Sequence, residues 1–281
     1  MNRRRLLAAL SAPAALGLAL GATQVAHAQV GSTLDEVKKR GTLRAGVRTE
    51  VPGFGIVDEA GKIVGFDIDI ATEVAARLGA KVELVPVTAA TRVPLLQQGR
   101  IDLIAATLTH YRARDQVIDF SIGYFWTGQK LMVKKTSSIK SLADMAGKRA
   151  GTTVGAGVVE NLKKVQPKAT TQTFEGYPEA FLAMQRGLVD AVVADVIILA
   201  GLRANSPSPS DYVIVGESVG GGDYGIGLRE NDSKWRDAVN FALQDIWRDG
   251  SWDKIYGRWI GPGTKLNLEK SEINFSMILW D

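Results

Sequence analysis

The most informative absence in this 281-residue chain is cysteine. Without cysteine the protein has no disulfide, no thiolate nucleophile and no metal site built on thiolates. Histidine is nearly as scarce: of the two histidines, His27 lies in an N-terminal segment that we expect to be removed, which leaves His110. Catalytic pairs that use histidine as the base, and metal sites with several histidines, are therefore hard to build. We predict neither a cofactor nor a metal.

Long apolar runs are also scarce, and the longest one, LLAALSAPAALGLAL, follows three arginines at residues 3–5. This run is short for a membrane span, and no stop-transfer pattern follows it. The segment Ala26–Ala28 then has the small-x-small form of a cleavage site. We predict a signal peptide over residues 1–28, with a mature chain that starts near Gln29 and is exported to the periplasm. A membrane anchor is the alternative.

An excess of one charge sign is missing from the predicted mature chain. The sequence has 34 Lys and Arg against 30 Asp and Glu, but three of the arginines belong to the signal peptide, which leaves 31 against 30. A nearly neutral protein has no general electrostatic attraction for nucleic acid or for an anionic membrane surface. We therefore predict no nucleic-acid partner.

The most informative stretch that is present runs from Ile101 to Ser121, IDLIAATLTHYRARDQVIDFS. It begins as a short apolar run with β-branched residues, which predicts a buried strand over residues 101–106. Two threonines and a polar, arginine-containing turn follow. Hydroxyls, free backbone N–H groups and a guanidinium at the carboxyl end of a strand are suited to binding a carboxylate. The alternative is a surface turn whose arginines are solvated.

The rest of the chain alternates strands and helices, which is typical of a sheet covered by helices. A hairpin is predicted over residues 55–64, a turn over 220–223, and no regular pattern after residue 264. The pattern forms two successive α/β units whose polar loops follow strands, and ligand sites favour the cleft between such units. Predicted helices are 33–40, 66–78, 91–99, 141–145, 158–165, 177–186, 195–202 and 233–249, and predicted strands are 43–47, 81–87, 101–106, 129–134, 149–154, 170–174 and 191–194.

Several motifs, in order along the chain, resemble the family-3 extracellular solute-binding proteins, the periplasmic amino-acid-binding proteins of ABC importers. GFDIDIATEVAARL resembles the family signature, and IDLIAATLT with a following arginine and VIDFS resembles its ligand segment. In the second lobe, the family's loop is matched by GKRAGTTVGAG and its acidic strand end by DAVVAD. The return to lobe 1 is matched by YGIGLRE, and the terminal helix by WDKIYGRWIG. The likeness spans roughly residues 34–262.

The resemblance implies the type II periplasmic-binding-protein fold, an α/β fold whose two lobes are each a sheet flanked by helices. It implies lobe 1 over residues 29–127 and 222–263, lobe 2 over 128–221, and a tail over 264–281. Hinge crossings are expected near Trp126–Lys130 and Gly220–Tyr224. The implied function is a monomeric, non-enzymatic receptor that captures an amino acid or another small carboxylate between its lobes and delivers it to a membrane-embedded ABC permease.

The resemblance also implies roles for particular residues. Arg114 corresponds to the arginine that binds the ligand's α-carboxylate, and Thr107 and Thr109 would add donors beside it. From the second lobe, Thr153 and the loop at Ala156 would close on the ligand. Asp195 would accept from the α-ammonium, the alternative for Asp195 being a cap of the following helix.

The ligand's side chain is suggested by two further arginines. Glutamate/aspartate-binding members carry extra arginines at the positions of Arg48 and Arg92, which implies an acidic amino acid as the ligand. The alternatives are a loop arginine for Arg48 and a solvated helix start for Arg92. The sequence departs from those members at Ala156 and at Tyr177, the latter at a position that is often histidine in them. Both departures make the expected pocket less polar. They favour, as an alternative, a receptor for another small carboxylate.

An enzyme on the same fold, similar to cyclohexadienyl dehydratase, is the rival from another functional class. Such an enzyme needs a general acid in the cleft. Glu50, Glu175 and Glu217 are candidates, but none lies in a motif that we identify. We therefore predict that the protein is not an enzyme.

Overall fold

The computed structural model of the protein describes residues 31–273 and 275–280. The predicted signal peptide over residues 1–28 lies outside that range. Among the described residues, no helix combines the length and the apolarity needed to cross a membrane. The helices are α1 (Thr33–Arg40), α2 (Phe66–Arg77), α3 (Arg92–Gln97), α4 (Val158–Val165), α5 (Tyr177–Gln185), α6 (Val196–Ala204), α7 (Ser233–Arg248), α8 (Ser251–Trp259) and α9 (Lys270–Ile273), and the strands are β1 (Thr42–Val47), β2 (Glu50–Val51), β3 (Gly55–Val57), β4 (Ile63–Val64), β5 (Lys81–Pro86), β6 (Leu103–Ile104), β7 (Asp119–Lys134), β8 (Arg149–Thr153), β9 (Thr170–Phe174), β10 (Ala191–Asp195) and β11 (Tyr212–Leu228).

Eight strands form one mixed sheet in the order β5-β1-β6-β11-β7-β10-β8-β9. The strands β5, β1 and β6 at one end are parallel, as are β10, β8 and β9 at the other. Between these groups lie β11 and β7, which are antiparallel to each other. The predicted hairpin over 55–64 is confirmed as part of a separate three-stranded sheet, β2-β3-β4.

The two central strands are longer than the sequence pattern predicts. β7 has 16 residues, whereas only 129–134 were expected, and β11 has 17. The predicted turn over 220–223 is wrong, because those residues pair with residues 126–129 of β7. A register shift between Val215 and Gly220 interrupts the pairing, as expected for a bulge. The predicted strand over 101–106 is shorter than expected, because only Leu103 and Ile104 have ladder partners.

The ends of α1 illustrate which local signals are sufficient. Gly41 has a φ of 69°, a left-handed conformation that glycine adopts at little cost, and the helix ends there as predicted. At the other end, the helix begins at Thr33, as predicted, and the residue before it is the cap. Ser32, not Thr33, is the N-cap, and its hydroxyl accepts a hydrogen bond from the Leu34 amide at 3.2 Å.

Asp102 is the one charged residue within the apolar run over residues 101–106. Its fully buried carboxylate lies at the amino end of β6 and pairs with Arg40, with Arg44 at 2.8 Å and with Arg229 at 3.4 Å. Three guanidinium groups around one carboxylate satisfy a buried charge. Since these pairs lie at the amino end of the strand, they join β1, β6 and the end of β11 on the side away from the Thr107–Thr109 loop.

The segment after residue 264, predicted to lack regular structure, contains α9 and contributes to the core. Ile273 and Met277 are almost fully buried, and Phe275 packs edge-on against Trp247 at 5.7 Å between ring centroids. Lys270 Nζ lies 4.7 Å from the centroid of the Trp247 ring. The segment is therefore held by apolar and cation–π contacts to α7 and its neighbours.

Candidate functional site

One small cavity collects eight of the nine predicted ligand-binding residues. They come from loops and strand ends that are distant in sequence but meet where β6, β7, β10 and β11 lie side by side. The cavity is lined by Arg48, Arg92, Thr107, Thr109, Arg114, Gln129, Ala156, Gly157, Tyr177 and Asp195.

Arg114, the predicted carboxylate clamp, is held by backbone carbonyl groups and an aromatic ring. Its Nη1 donates to the Thr109 carbonyl at 2.8 Å, and its Nη2 donates to the Gly155 carbonyl at 3.1 Å. The guanidinium carbon lies 5.0 Å from the centroid of the Tyr111 ring. Burial lowers the pKa of Arg114, although neighbouring Tyr111 and Asp195 oppose that shift. The contacts fix the guanidinium plane without neutralising its charge.

Asp195 lies at the end of β10, directly before α6. It occupies the N-cap position, yet its side chain makes no capping hydrogen bond, so the capping alternative is wrong. Instead, Oδ1 accepts from Gln129 Nε2 at 2.8 Å and Oδ2 accepts from the Tyr224 hydroxyl at 2.6 Å. Burial raises the pKa of Asp195, while these two hydrogen bonds oppose the increase. The α6 N-terminus also favours a negative charge there.

Arg92 is the first residue of α3 and is only 3% exposed, so the solvated-helix-start alternative is wrong. Its Nη1 donates to the carbonyl groups of Ala106 and Thr107, the latter at 3.2 Å. Its Nε has no hydrogen-bond partner among the residues that the structure describes. Burial, followed by repulsion from Arg114 and Arg48, lowers the pKa of Arg92 to about 9. Arg92 is therefore a desolvated cation.

Arg48 follows β1 and is 1% exposed, so it is not a solvated loop arginine. It pairs with Glu50, whose Oε1 accepts from Arg48 Nε at 2.7 Å. Its guanidinium carbon also lies 5.5 Å from the centroid of the Tyr177 ring. Burial raises the pKa of Tyr177 above its usual value, so the phenol stays protonated and can donate a hydrogen bond.

The loop from Thr107 to Thr109, called the threonine loop below, is held by the carboxylate of Asp67, which does not line the cavity. Thr107 has a φ of 46°, which is unusual for a β-branched residue, and its amide donates to Asp67 Oδ2 at 2.7 Å. The Thr107 hydroxyl is buried and lacks a partner in the described part of the chain. Thr109 forms a bridge to Tyr224 of β11, which anchors the far end of the loop.

Thr153 is the one predicted residue that does not line the cavity. It is fully buried at the end of β8, and its hydroxyl donates to the carbonyls of Phe174 at 3.2 Å and Glu175 at 2.7 Å. The Thr153 hydroxyl was expected to face the ligand, but it is already hydrogen-bonded to backbone carbonyls at the end of the adjacent strand β9. The loop after Thr153 still reaches the cavity through Ala156.

Gln129 and Tyr224 are the main residues that sequence reasoning missed. Besides Asp195, Gln129 Nε2 donates to the Tyr111 hydroxyl at 2.7 Å, and Asn161 Nδ2 donates to Gln129 Oε1 at 2.9 Å. Both residues lie in predicted hinge crossings, Gln129 in one and Tyr224 in the other. Gln129 belonged to no motif, whereas Tyr224 begins the YGIGLRE motif, which indicated the return to lobe 1 and not a site residue.

The candidate acids of the rival enzyme are separated from this cavity or already paired. Glu50 pairs with Arg48, and Glu175 lines a neighbouring cavity together with Glu50 and Glu179. Glu217 is exposed and accepts from the Leu142 amide at 3.1 Å. No group of three or more potential metal ligands occurs within residues 31–273 and 275–280.

The cavity thus offers two guanidinium groups without an acidic partner. Neither Arg92 nor Arg114 forms an ion pair with any residue that the structure describes. Arginine presents a planar fork that matches carboxylate geometry. A carboxylate with free accepting capacity, Asp195, lies in the same cavity. This set can bind a zwitterion at both ends and a further anionic group.

Residues 43–262 match the model of the bacterial extracellular solute-binding proteins, family 3. The chain belongs to this family. It is 36% identical over 233 residues to the ABC transporter glutamine-binding protein GlnH of Bacillus subtilis, covering 81% of this chain and 84% of that protein. It is 30% identical over 285 residues to the L-glutamate/L-aspartate-binding protein of Pseudomonas aeruginosa, covering 95% and 94%.

A solved structure of similar fold is that of an ancestral arginine-binding protein bound to arginine. It shares 41% sequence identity and a TM-score of 0.75, over 79% of this chain and 99% of that one. The predicted α/β periplasmic-binding-protein fold is confirmed, as is the prediction of a binding protein and not an enzyme. The protein is an amino-acid-binding member of a family associated with ABC transporters. The boundaries of the two lobes and the roles of the individual site residues stay predictions.

Proposed function

We propose that the protein captures an acidic amino acid, glutamate or aspartate, between its two lobes in the periplasm and delivers it to an ABC permease. Arg114 binds the α-carboxylate, and Asp195 accepts from the α-ammonium. Arg92, with Arg48 behind it, takes the side-chain carboxylate. The observation that carries the proposal is Arg92, a buried guanidinium without an acidic partner in the described chain.

Charge balance supports an acidic ligand over a neutral or basic one. Arg48 is balanced by Glu50, so Arg92, Arg114 and Asp195 leave one net positive charge in the cavity. A neutral zwitterion leaves that charge in place, and a basic amino acid adds to it. An acidic amino acid cancels that charge. A buried charge that is left without a partner costs about 3–5 kcal/mol.

The relatives offer a specific alternative, because the Bacillus subtilis protein is named for glutamine. Glutamine and glutamate have the same shape, and they differ in whether the end of the side chain is charged. Arg92 can donate to either oxygen, but only glutamate neutralises it. The comparison of this pair therefore isolates the charge argument from shape.

The test is isothermal titration calorimetry of the purified mature protein with glutamate, aspartate, glutamine and arginine. We expect glutamate or aspartate to bind at least ten times more tightly than glutamine, and arginine not to bind measurably. Equal affinity for glutamate and glutamine, or tighter binding of glutamine, would overturn the acidic ligand. Prephenate incubated with the protein and followed by absorbance serves as the enzyme control, and no turnover is expected.

A further inference from the structure

We infer that Asp67 is a positioning residue whose negative charge sets which ligand charge the cavity accepts. Asp67 does not line the cavity: it is the second residue of α2 and is fully buried one layer behind. The inference rests on the proposed function, because it concerns the specificity of the same cavity. It is carried by the hydrogen bonds that join Asp67 to the threonine loop.

Thr107 is held from both sides. Its amide donates to Asp67 Oδ2 at 2.7 Å, and its carbonyl accepts from Arg92 Nη1 at 3.2 Å. Its φ of 46° is a conformation that persists only where the surroundings enforce it. The hydrogen bond from Asp67 stabilises this conformation on one side. It thereby positions the free Thr107 hydroxyl and the Thr107 carbonyl, which accepts a hydrogen bond from Arg92.

The hydrogen bonds of Asp67 leave its charge unneutralised. Its second oxygen accepts from the Tyr124 hydroxyl at 2.8 Å, so both partners are neutral donors. The charged groups that face it are Arg92 from α3 and Arg48 from the end of β1, and the nearby phenols are Tyr124 of β7 and Tyr224 of β11. The two arginines are those proposed to take the ligand's side-chain carboxylate. An ionised Asp67 therefore competes with that carboxylate.

The protonation state of Asp67 is balanced near neutral pH. Burial raises the pKa of Asp67 to about 7, against the opposing effects of Tyr124, Thr107 and the two arginines. When Asp67 is protonated, Arg92 needs an anionic ligand. When Asp67 is ionised, it offsets part of the positive charge of Arg92 and Arg48, so the preference for an anionic over a neutral side chain is weaker. The ratio of glutamate to glutamine affinity should therefore rise as the pH falls from 8 to 6, a range over which glutamate itself stays ionised because its side-chain pKa is about 4.3.

The decisive variant is Asp67→Asn, which removes the charge but keeps an oxygen that accepts from the Thr107 amide. Glutamate and glutamine are titrated calorimetrically into the wild type and the variant at pH 6, 7 and 8. We expect Asp67→Asn to raise the glutamate-to-glutamine affinity ratio at pH 8 at least tenfold and to abolish its dependence on pH. The matched control is Asp69→Asn, two residues along α2, because Asp69 pairs with Arg258 and Trp259 near the surface; it should keep the wild-type ratio and pH profile.

The outcomes separate this inference from the proposed function. An Asp67→Asn protein with the wild-type ratio and pH profile overturns the role of Asp67 and leaves the acidic ligand standing. A wild type that prefers glutamine overturns the acidic ligand, but Asp67→Asn must then still gain affinity for glutamate. For positioning, Asp67→Ala should weaken both ligands at least tenfold, whereas Asp67→Asn should not weaken both. Equal weakening by the two variants, measured on proteins with cooperative melting, overturns the inference.

Discussion

At the scale of single residues, Arg114 is proposed to bind the α-carboxylate, the group that all amino-acid ligands share. Replacing it by alanine leaves the α-carboxylate unpaired in a buried cavity, which costs about 3–5 kcal/mol. We therefore expect Arg114→Ala to weaken the binding of every amino-acid ligand at least about a hundredfold. Isothermal titration calorimetry measures the loss directly.

The same turn offers a control for Arg114. Arg112 carries the same charge two residues earlier but is exposed and does not line the cavity. Arg112→Ala should keep the wild-type affinity, since exposed charges contribute little. If Arg112→Ala and Arg114→Ala weakened binding equally, the effect would come from the net charge of the turn and the clamp assignment would be wrong.

Arg92 should behave differently, because its charge is useful only when the ligand is bound. Arg92→Met keeps a long apolar side chain and removes a buried cation. We expect glutamate affinity to fall by at least about 30-fold, corresponding to about 2 kcal/mol for truncating one partner of a buried charge pair. Glutamine, which loses a hydrogen bond but no charge pair, should lose clearly less affinity than glutamate.

The unliganded Arg92→Met protein supplies a second readout with the opposite sign. Removing a desolvated charge that lacks an acidic partner within the described chain should not lower the melting temperature, and apolar replacement of buried ionic groups often raises stability by about 1–4 kcal/mol. A variant that melted earlier and also bound glutamate normally would show that Arg92 is a structural arginine and not a ligand group.

At the scale of secondary-structure elements, local signals were sufficient where an element is determined by its own residues. α4 over 158–165 and β9 over 170–174 have the predicted bounds. α1 over 33–40 also has the predicted bounds, and Gly41 ends it in a left-handed conformation. These features depend on periodicity and on backbone conformation within a few residues, both of which a sequence displays.

The central strands could not be predicted for the opposite reason. Gly220, Gly221 and Gly222 favour a turn by composition, yet they are strand because residues about 90 positions away in β7 pair with them. Pairing between strands distant in sequence also explains a residue missed in the site. Gln129 reaches Asp195 because the two are opposite each other in the β7–β10 register. The arginines and Asp195 were accessible through a family resemblance, whereas their neutral partners depend on tertiary register.

The glycine run in β11 gives a prediction at this scale. Gly221 has a φ of 156°, and a Cβ added there would lie 2.6 Å from the Thr127 carbonyl oxygen and 2.8 Å from Gly128 Cα. Because both atoms are backbone, the strands would have to separate. Gly221→Ala should lower the free energy of unfolding by about 1–3 kcal/mol, as overpacking does. It should also weaken ligand binding by displacing Tyr224, which lies three residues further along β11.

The contrasting control is Gly257→Ala in the last turn of α8. No heavy atom outside the local helix backbone lies within 4 Å of the added Cβ, and alanine favours helix over glycine by roughly 0.5–1 kcal/mol. Urea unfolding should therefore show Gly257→Ala stabilised and Gly221→Ala destabilised. Two variants that shifted in the same direction would contradict the close-packing argument.

At the scale of the whole molecule, the site should set the pH dependence of stability. Burial raises the pKa values of Asp67, to about 7, and Asp195 above those of an unfolded chain, so both groups favour folding when protonated. That contribution is fully present below about pH 4 and is lost as the pH rises through the folded-state pKa values. Hydrogen-bonded carboxylates with lowered pKa, such as Asp190, act in the opposite direction and lose their contribution in acid.

The unliganded protein should therefore be most stable near pH 5 and less stable at pH 8. For Asp67 alone the difference between pH 5 and pH 8 is on the order of 3 kcal/mol, since about two pH units separate pH 5 from its folded-state pKa of about 7 and each unit corresponds to about 1.4 kcal/mol. Urea unfolding midpoints at pH 5, 6, 7 and 8 measure this decline, and Asp67→Asn should remove most of it because asparagine does not titrate. Parallel stability curves for the wild type and Asp67→Asn would mean that the buried carboxyl does not titrate in this range. A decline that disappears in the variant would instead connect the stability of the whole protein to the one acidic group behind its ligand cavity.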